Sequence, residues 1–361
     1  MKRQSGFSMV ELMVAITLAL LLTGAVISVF IGSRSAYQAT AGIGDMSDSG
    51  RFALNLIGES VRSAGNLACN SAESATSQTL VAGPPLLTSF GQGIAGFEAN
   101  GTAPGAAFTV PLAPVAGAAN QWTPNLDPAI TGAFPAGPWG LPVQGSDVLV
   151  VRSSVSRVTP VYTTADAAPG ANSVFVTPAP TAITATQYAA LADCTKSVIF
   201  QVTAVGVGAP STVTLNGNLP VGFSAGALVA PLTTTVYYIG IGSDGDSSLF
   251  RLEQINGPGF PAPLQPVSPE ELVPDVENMQ VLYGIDPAGS QTAAAYVTAD
   301  QVGAVNVVSI QLALLVASPP GNKPVPVPPP YNMIGDTVTV PGDNRSRQVF
   351  YATINIRDAV N

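Results

Sequence analysis

The 361-residue chain carries 13 Lys and Arg against 22 Asp and Glu, a net charge of −9, with two cysteines and no histidine. Charged residues make up 10% of it, where an ordinary soluble domain has about 25%. Histidine-dependent nucleophilic or acid–base catalysis and His-ligated zinc are thereby excluded, a nucleic-acid footprint of clustered Lys and Arg is missing, and the 47% hydrophobic content separates the chain from disordered polymers.

The chain opens with Lys2 and Arg3, and between Phe7 and Ile31 its one charge is Glu11. The 22 residues from Leu12 to Ser33 carry none. As a helix they reach roughly 33 Å, enough to cross a bilayer's hydrocarbon core. The positive-inside tendency keeps Lys2 and Arg3 in the cytoplasm and sends the rest outward. Glu11 at mid-membrane costs about 2.5–3.5 kcal/mol. The side chains one turn away (Phe7, Ser8, Val14, Ala15) offer it no cation. An α-amino group created by cleavage after Gly6 is one partner; the other reading leaves Glu11 wet at the headgroups.

The segment Gly6-Phe7-Ser8-Met9-Val10-Glu11-Leu12-Met13-Val14 resembles the leader and N-methylation segment of type IV prepilins and type II secretion pseudopilins. It has a short basic leader ending in Gly, an aromatic residue next, Glu fifth in the mature chain, and an apolar helix at once. The resemblance implies that a prepilin peptidase cuts after Gly6 and methylates Phe7. It also implies that Glu11 pairs with the N-terminal ammonium of a neighbouring subunit, removing a desolvation penalty and setting axial register.

Residues 34–65 continue the helix in amphipathic form. Gly42, Gly44 and Gly50 predict a break around 42–49, with Asp48 or Ser49 capping a second segment. Phe52, Leu56, Ile57, Val61 and Ala64 then form the stripe expected to face a globular domain, and Gly65 stops the helix. Beyond residue 66 the pattern is β, with strands predicted at 147–152, 173–177, 198–203, 235–241, 248–253, 278–285, 305–317 and 348–356. Ser268-Pro269-Glu270-Glu271 reads as the capped start of a short helix. Residues 83–145 contain no basic residue and read as a long Pro/Gly-rich irregular insertion. Lys323 to Pro330 reads as an exposed polyproline connector.

Several pieces of this β region are similar to the W-type minor pilins of type IV pilus assembly, the PilW family. They include Gly50-Arg51-Phe52-Ala53-Leu54, Ala64-Gly65-Asn66 with Cys69 after it, and Gly145-Ser146-Asp147-Val148-Leu149. Cys194 followed by Val198-Ile199-Phe200, then Tyr237-Tyr238-Ile239, Leu249-Phe250-Arg251, 276–286 and the end around Arg357 complete the series. The chain departs from the family in its long insertions. Cys69 and Cys194 both lie outside the cytoplasm on this topology, where a disulfide closing a loop of about 125 residues contributes roughly 4–5 kcal/mol; the alternative is two separate buried thiols.

Chemistry-bearing patterns are weak. Asp244-Gly245-Asp246 lacks the spacing of a calcium loop and reads as a hairpin turn. Glu270, Glu271, Asp275 and Glu277 read as a capped helix with a solvated face. No carboxylate pair, nucleophile motif at Lys196 or Lys323, or phosphate loop stands out, so neither metal, cofactor nor catalysis is expected. The sequence therefore predicts an α+β pilin-like protein with a leader at 1–6, a transmembrane helix at 7–33, an amphipathic continuation at 34–65 and a β-rich head at 66–361. By resemblance it is a minor pilin of the inner membrane and then the pilus, acting in type IV pilus assembly at or near the tip. Its partners would be the prepilin peptidase, other minor pilins, the major pilin, the inner-membrane platform and a tip adhesin, without nucleic acid. The alternatives are a J-type pseudopilin of type II secretion and a surface-adhesion module.

Overall fold

The computed structural model describes residues 8–72, 74, 76–81, 89–127, 130, 137–154, 159–255, 269–303, 305–320 and 329–357. One helix, Met9–Arg62, precedes a head built of strands. The helix runs unbroken through Gly42, Gly44 and Gly50, so the expected break and second cap at Asp48 or Ser49 are not present. Packing overrides propensity here: each glycine costs a helix about 1 kcal/mol, but tertiary burial supplies most helix stability in proteins. Gly50 lies under Phe350, whose ring atoms stand 2.5–2.7 Å from where a Cβ would be. Only glycine lets the strand come so close.

The buried face of the helix is Met46, Gly50, Ala53, Ile57, Gly58 and Val61. This differs from the predicted stripe by one position, for Phe52 is exposed and Leu56 half-buried. Small residues take the centre because the sheet lies near; the larger ones flank it. The helix ends at Ser63, and Gly65 follows at φ +78°, where its N–H donates to Arg152 O at 2.8 Å. Ser60 Oγ and Tyr237 OH, 2.6 Å apart, tie the last turns to the large sheet.

Among the described residues the largest sheet has twelve strands. Its spine is the 14-residue strand Leu228–Ile241. Val148–Ser154 and Ser247–Ile255 pair with its second half, and Tyr188–Asp193 with its first. A four-stranded antiparallel sheet runs in the order Ala295–Val297, Val276–Asp286, Asn306–Ala317, Arg347–Asn355. The main core lies between helix and sheets, joining Ala53, Ile57 and Val61 to Leu149, Tyr237, Met279, Ile310, Leu312 and Ile354. A second core, with Val176, Leu191, Phe200, Val213 and Phe223, holds the strands between residues 161 and 229 together.

All eight predicted strands are present, most of them longer than expected. The described part of 83–145 is not irregular throughout, for it holds the strands Ile94–Ala99, Ala107–Thr109 and Trp122–Thr123. Ile94–Ala99 pairs with Val148–Ser154, and Trp122 is buried with Phe97, Val150 and Phe250 while its Nε1–H donates to Ser146 O at 2.8 Å. The helix expected after Ser268 is instead the strand Glu270–Pro274, with Ser268 outside the described residues. Strand pairing with Ser247–Ile255 wins over the local cap signal, and Glu271 accepts from Ser248 Oγ at 2.7 Å. Most of the polyproline segment, residues 321–328, also lies outside the described residues.

Asp244-Gly245-Asp246 is the turn of the Leu228–Ile241/Ser247–Ile255 hairpin, with Gly245 at φ +89°. The acidic cluster is not a solvated face. Glu270 pairs with Arg251 at 2.7 Å, Asp275 with Arg345, and Glu277 with Arg347 at 2.6 Å. Arg345 also reaches Asp246 at 2.9 Å, and Arg347 reaches Asp343 at 2.7 Å. The Arg347 side chain is 2% exposed and Glu277's 9%, so this pair is desolvated.

Two stability predictions follow from this packing. Gly50→Ala lowers the melting temperature by an overpacking cost of about 1–3 kcal/mol despite its helix propensity, whereas Gly42→Ala, whose Cβ would sit 3.5 Å from Ser318 Cβ, is neutral or stabilising. Arg347→Met strands the Glu277 carboxylate and lowers the unfolding free energy measured by denaturant titration by about 3–5 kcal/mol.

Candidate functional site

The helix divides by burial. Residues 8–34 are exposed throughout, and the apolar span carries none of its surface into the head. Met13, Ile16, Leu20, Leu21, Val26, Val29 and Phe30 are all more than half exposed. Three hydroxyls in this stretch bond back to the helix itself: Thr17 donates to Val14 O at 2.9 Å, Thr23 to Ala19 O at 2.7 Å and Ser28 to Ala25 O at 2.8 Å. A helix that satisfies its backbone and hydroxyl groups internally is the form in which a chain crosses lipid or packs against apolar neighbours.

Its start is a capping box. Ser8 Oγ accepts from Val10 N–H at 3.4 Å, and Glu11 Oε2 accepts from Ser8 N–H at 3.3 Å. The carboxylate thus has a partner in the backbone, which a search among neighbouring side chains missed. The signal was legible as Ser-x-x-Glu before an apolar run. This contact leaves Glu11 with acceptor capacity to spare, on a helix end exposed on every side. Gly6 and Phe7, the predicted cleavage and methylation positions, lie outside the described residues.

The two cysteines, 125 residues apart in the chain, are brought together with their sulfur atoms 2.7 Å apart. Cys69 sits in the turn after the helix, between Asn66–Leu67 and Asn70–Ser71, with Ala68 at φ +74°. Cys194 sits in the hairpin turn of Tyr188–Asp193 and Lys196–Gly206, whose shape is held by Asp193 Oδ1 accepting from the Thr195 and Lys196 N–H groups at 2.9 and 3.0 Å. Burial, then the neighbouring Cys194, push the Cys69 thiol up to about 12. The fold places the two side by side as free thiols, Cys69 half-buried and Cys194 exposed.

Residues 1–27 match the model of the prokaryotic N-terminal methylation motif. Residues 236–358 match the model of type IV pilus-assembly protein W. That match spans the strands on which the helix sits and all five arginine–carboxylate pairs described above. A solved type IV-like pilin from Thermus thermophilus is 21% identical over 36% of this chain and 70% of its own, with a TM-score of 0.23. No curated protein matches the chain. The chain thus carries the methylation motif at its start, an exposed apolar helix after it, and a last third that is similar to type IV pilus-assembly protein W.

Proposed function

We propose that the chain is a minor pilin that is cleaved between Gly6 and Phe7, methylated on Phe7, and built into a type IV pilus at or near its tip, where it helps to start assembly. The observation that carries this reading is the divided helix: one half is seated in the head and the other is wholly exposed and apolar. In the membrane the exposed half is the anchor, with residues 1–6 cytoplasmic and the head at 66–361 outside. In a filament the same half packs against its counterparts in the major pilin and in other minor pilins. Glu11 then meets the ammonium of a neighbouring subunit, a pairing that offsets desolvation and fixes one helix against the next. The remaining partners are the prepilin peptidase, the inner-membrane platform and a tip adhesin. The chain is the substrate of the peptidase's chemistry and performs none itself.

The test is made in the native cell. Gly6→Ala leaves the precursor uncut by mass, and Glu11→Ala is cut normally but is depleted from sheared pili. Deletion of the gene lowers the number of surface pili; normal piliation and motility after deletion would sink the assembly role.

Cys69 and Cys194 form a disulfide in the mature chain on this reading, clamping the turn after the helix to the second core. Thiol blocking under non-reducing conditions labels neither cysteine, and reduction lowers stability by up to about 4–5 kcal/mol. Two labelled thiols on the exported chain would show that the bridge does not form.

A further inference from the structure

A small cavity of about 10 Å³, room for one water, lies away from the helix and the cysteines. Glu98 and Asp336, on the strands Ile94–Ala99 and Asp336–Thr339, line it with Asp147, which directly precedes Val148–Ser154; their residues are 7%, 3% and 2% exposed. Asp147 is fully engaged: its Oδ1 accepts from Ala99 N–H and its Oδ2 from Val281 N–H, each at 2.9 Å. Glu98 Oε2 and Asp336 Oδ1 are buried and have no hydrogen-bond partner. Gln280 completes the polar lining; Asp300, in the short turn Ala299–Gln301, and Tyr283 on Val276–Asp286 also face the group. No Lys or Arg is among the groups that act on Glu98 or Asp147.

Three buried carboxylates without a counter-charge are unaffordable as anions, since each costs several kcal/mol to desolvate. A cation or protons must remove the charge. Among the described residues no group of three or more His, Cys, Asp or Glu side chains is spaced to hold a metal ion. That leaves protons. A protonated Glu98 or Asp336 also becomes a donor, which gives the two orphaned oxygens something to do.

Asp336 belongs to a three-stranded flap made of Tyr331–Met333, Asp336–Thr339 and Ala107–Thr109. The flap lays Met333, Val338 and Val340 over Ala313 and Leu315 of the four-stranded sheet. The loop of Pro104 packs on it, with Gly105 N–H donating to Gly335 O at 3.0 Å. We propose that this flap is a pH-sensitive latch, closed while the buried carboxyl groups of Glu98, Asp147 and Asp336 carry protons and loosened as they ionise against one another.

Burial, then Asp147, holds the Glu98 carboxyl well above the usual range; burial raises Asp147 in spite of its two backbone donors, and raises Asp336 to about 6. The sign follows from linkage. Groups whose folded values are raised contribute stability that is complete below the unfolded carboxylate value of about 4. It is lost as pH rises through about 6 at Asp336 and further up for the other two. Asp343, held below its ordinary range by hydrogen bonds from Arg347, pulls the opposite way, so the comparison is made between the wild type and variants of the cluster.

The experiment follows thermal unfolding of the full chain in detergent micelles at about pH 5 and about pH 8, with hydrogen exchange of the Gly105, Val110 and Thr337 amides that bond to or within the flap. The excess of melting temperature at the lower pH is greater in the wild type than in Glu98→Gln or Asp336→Asn by roughly 2–4 °C, and the three amides are better protected at low pH after correction for intrinsic exchange. Either variant alone suffices should the other not fold. An equal pH dependence in wild type and variants, unchanged protection of the flap amides, or stabilisation by millimolar calcium at the higher pH in place of acid would overturn the proposal.

Discussion

The close approach of one helix to one strand governs the rest of this molecule. Ala53, Ile57 and Val61 reach the main core only because Gly50 lets Phe350 of the strand Arg347–Asn355 lie against the helix backbone. That contact decides which half of a 54-residue helix belongs to the head and which half is left outside. Once the second half is committed, the first has no surface of the same chain to cover it. Its apolar side chains must be met by lipid or by other helices, so the fold itself creates the need for a partner.

The same strand carries the strongest electrostatic ties. Arg347 and nearby Arg345 gather Asp246, Asp275, Glu277 and Asp343, joining the hairpin turn at 242–246 and the start of Val276–Asp286 to the chain's last strand. The residue order spreads these groups over about a hundred positions, and pairing closes them around the helix seat. Desolvated pairs of this kind are poor sources of net stability but costly to break singly, so they penalise alternative registers of that strand more than they strengthen the native one.

Much of this was legible in the sequence, for identifiable reasons. The apolar run behind Lys2 and Arg3 and the carboxylate at Glu11 speak locally, and β-branched runs mark eight of the strands, though not Ile94–Ala99 or Tyr188–Asp193. What failed was local reasoning about things decided at a distance. Glycines at 42, 44 and 50 read as breakers because nothing local says that Phe350 will press on one of them. Phe52 read as a core residue because size was mistaken for direction; the tight approach gives the centre to Ala53 and Gly50 instead. Ser-Pro-Glu-Glu at 268–271 carries a genuine cap signature, but Glu271 has Ser248 Oγ as a partner and a strand edge to join. Residues 83–145 looked irregular because their strands are short and rich in Gly and Ala, so no periodicity marks Trp122 as a buried anchor.

The distribution of charge joins these observations. The first 65 residues hold 5 basic and 4 acidic side chains and the remainder 8 and 18, so the head alone carries the acidic excess. Part of that excess is cancelled by arginine around the helix seat, and part is buried at Glu98, Asp147 and Asp336 where no arginine reaches. The two solutions suit their places. Where the head must hold the helix whatever the surroundings, carboxylates are paired with a guanidinium, which stays charged at any pH the protein meets. Where the flap of Tyr331–Met333, Asp336–Thr339 and Ala107–Thr109 covers the sheet, no guanidinium pairs with the buried carboxylates, so protons are the charge-cancelling partner the proposed latch requires.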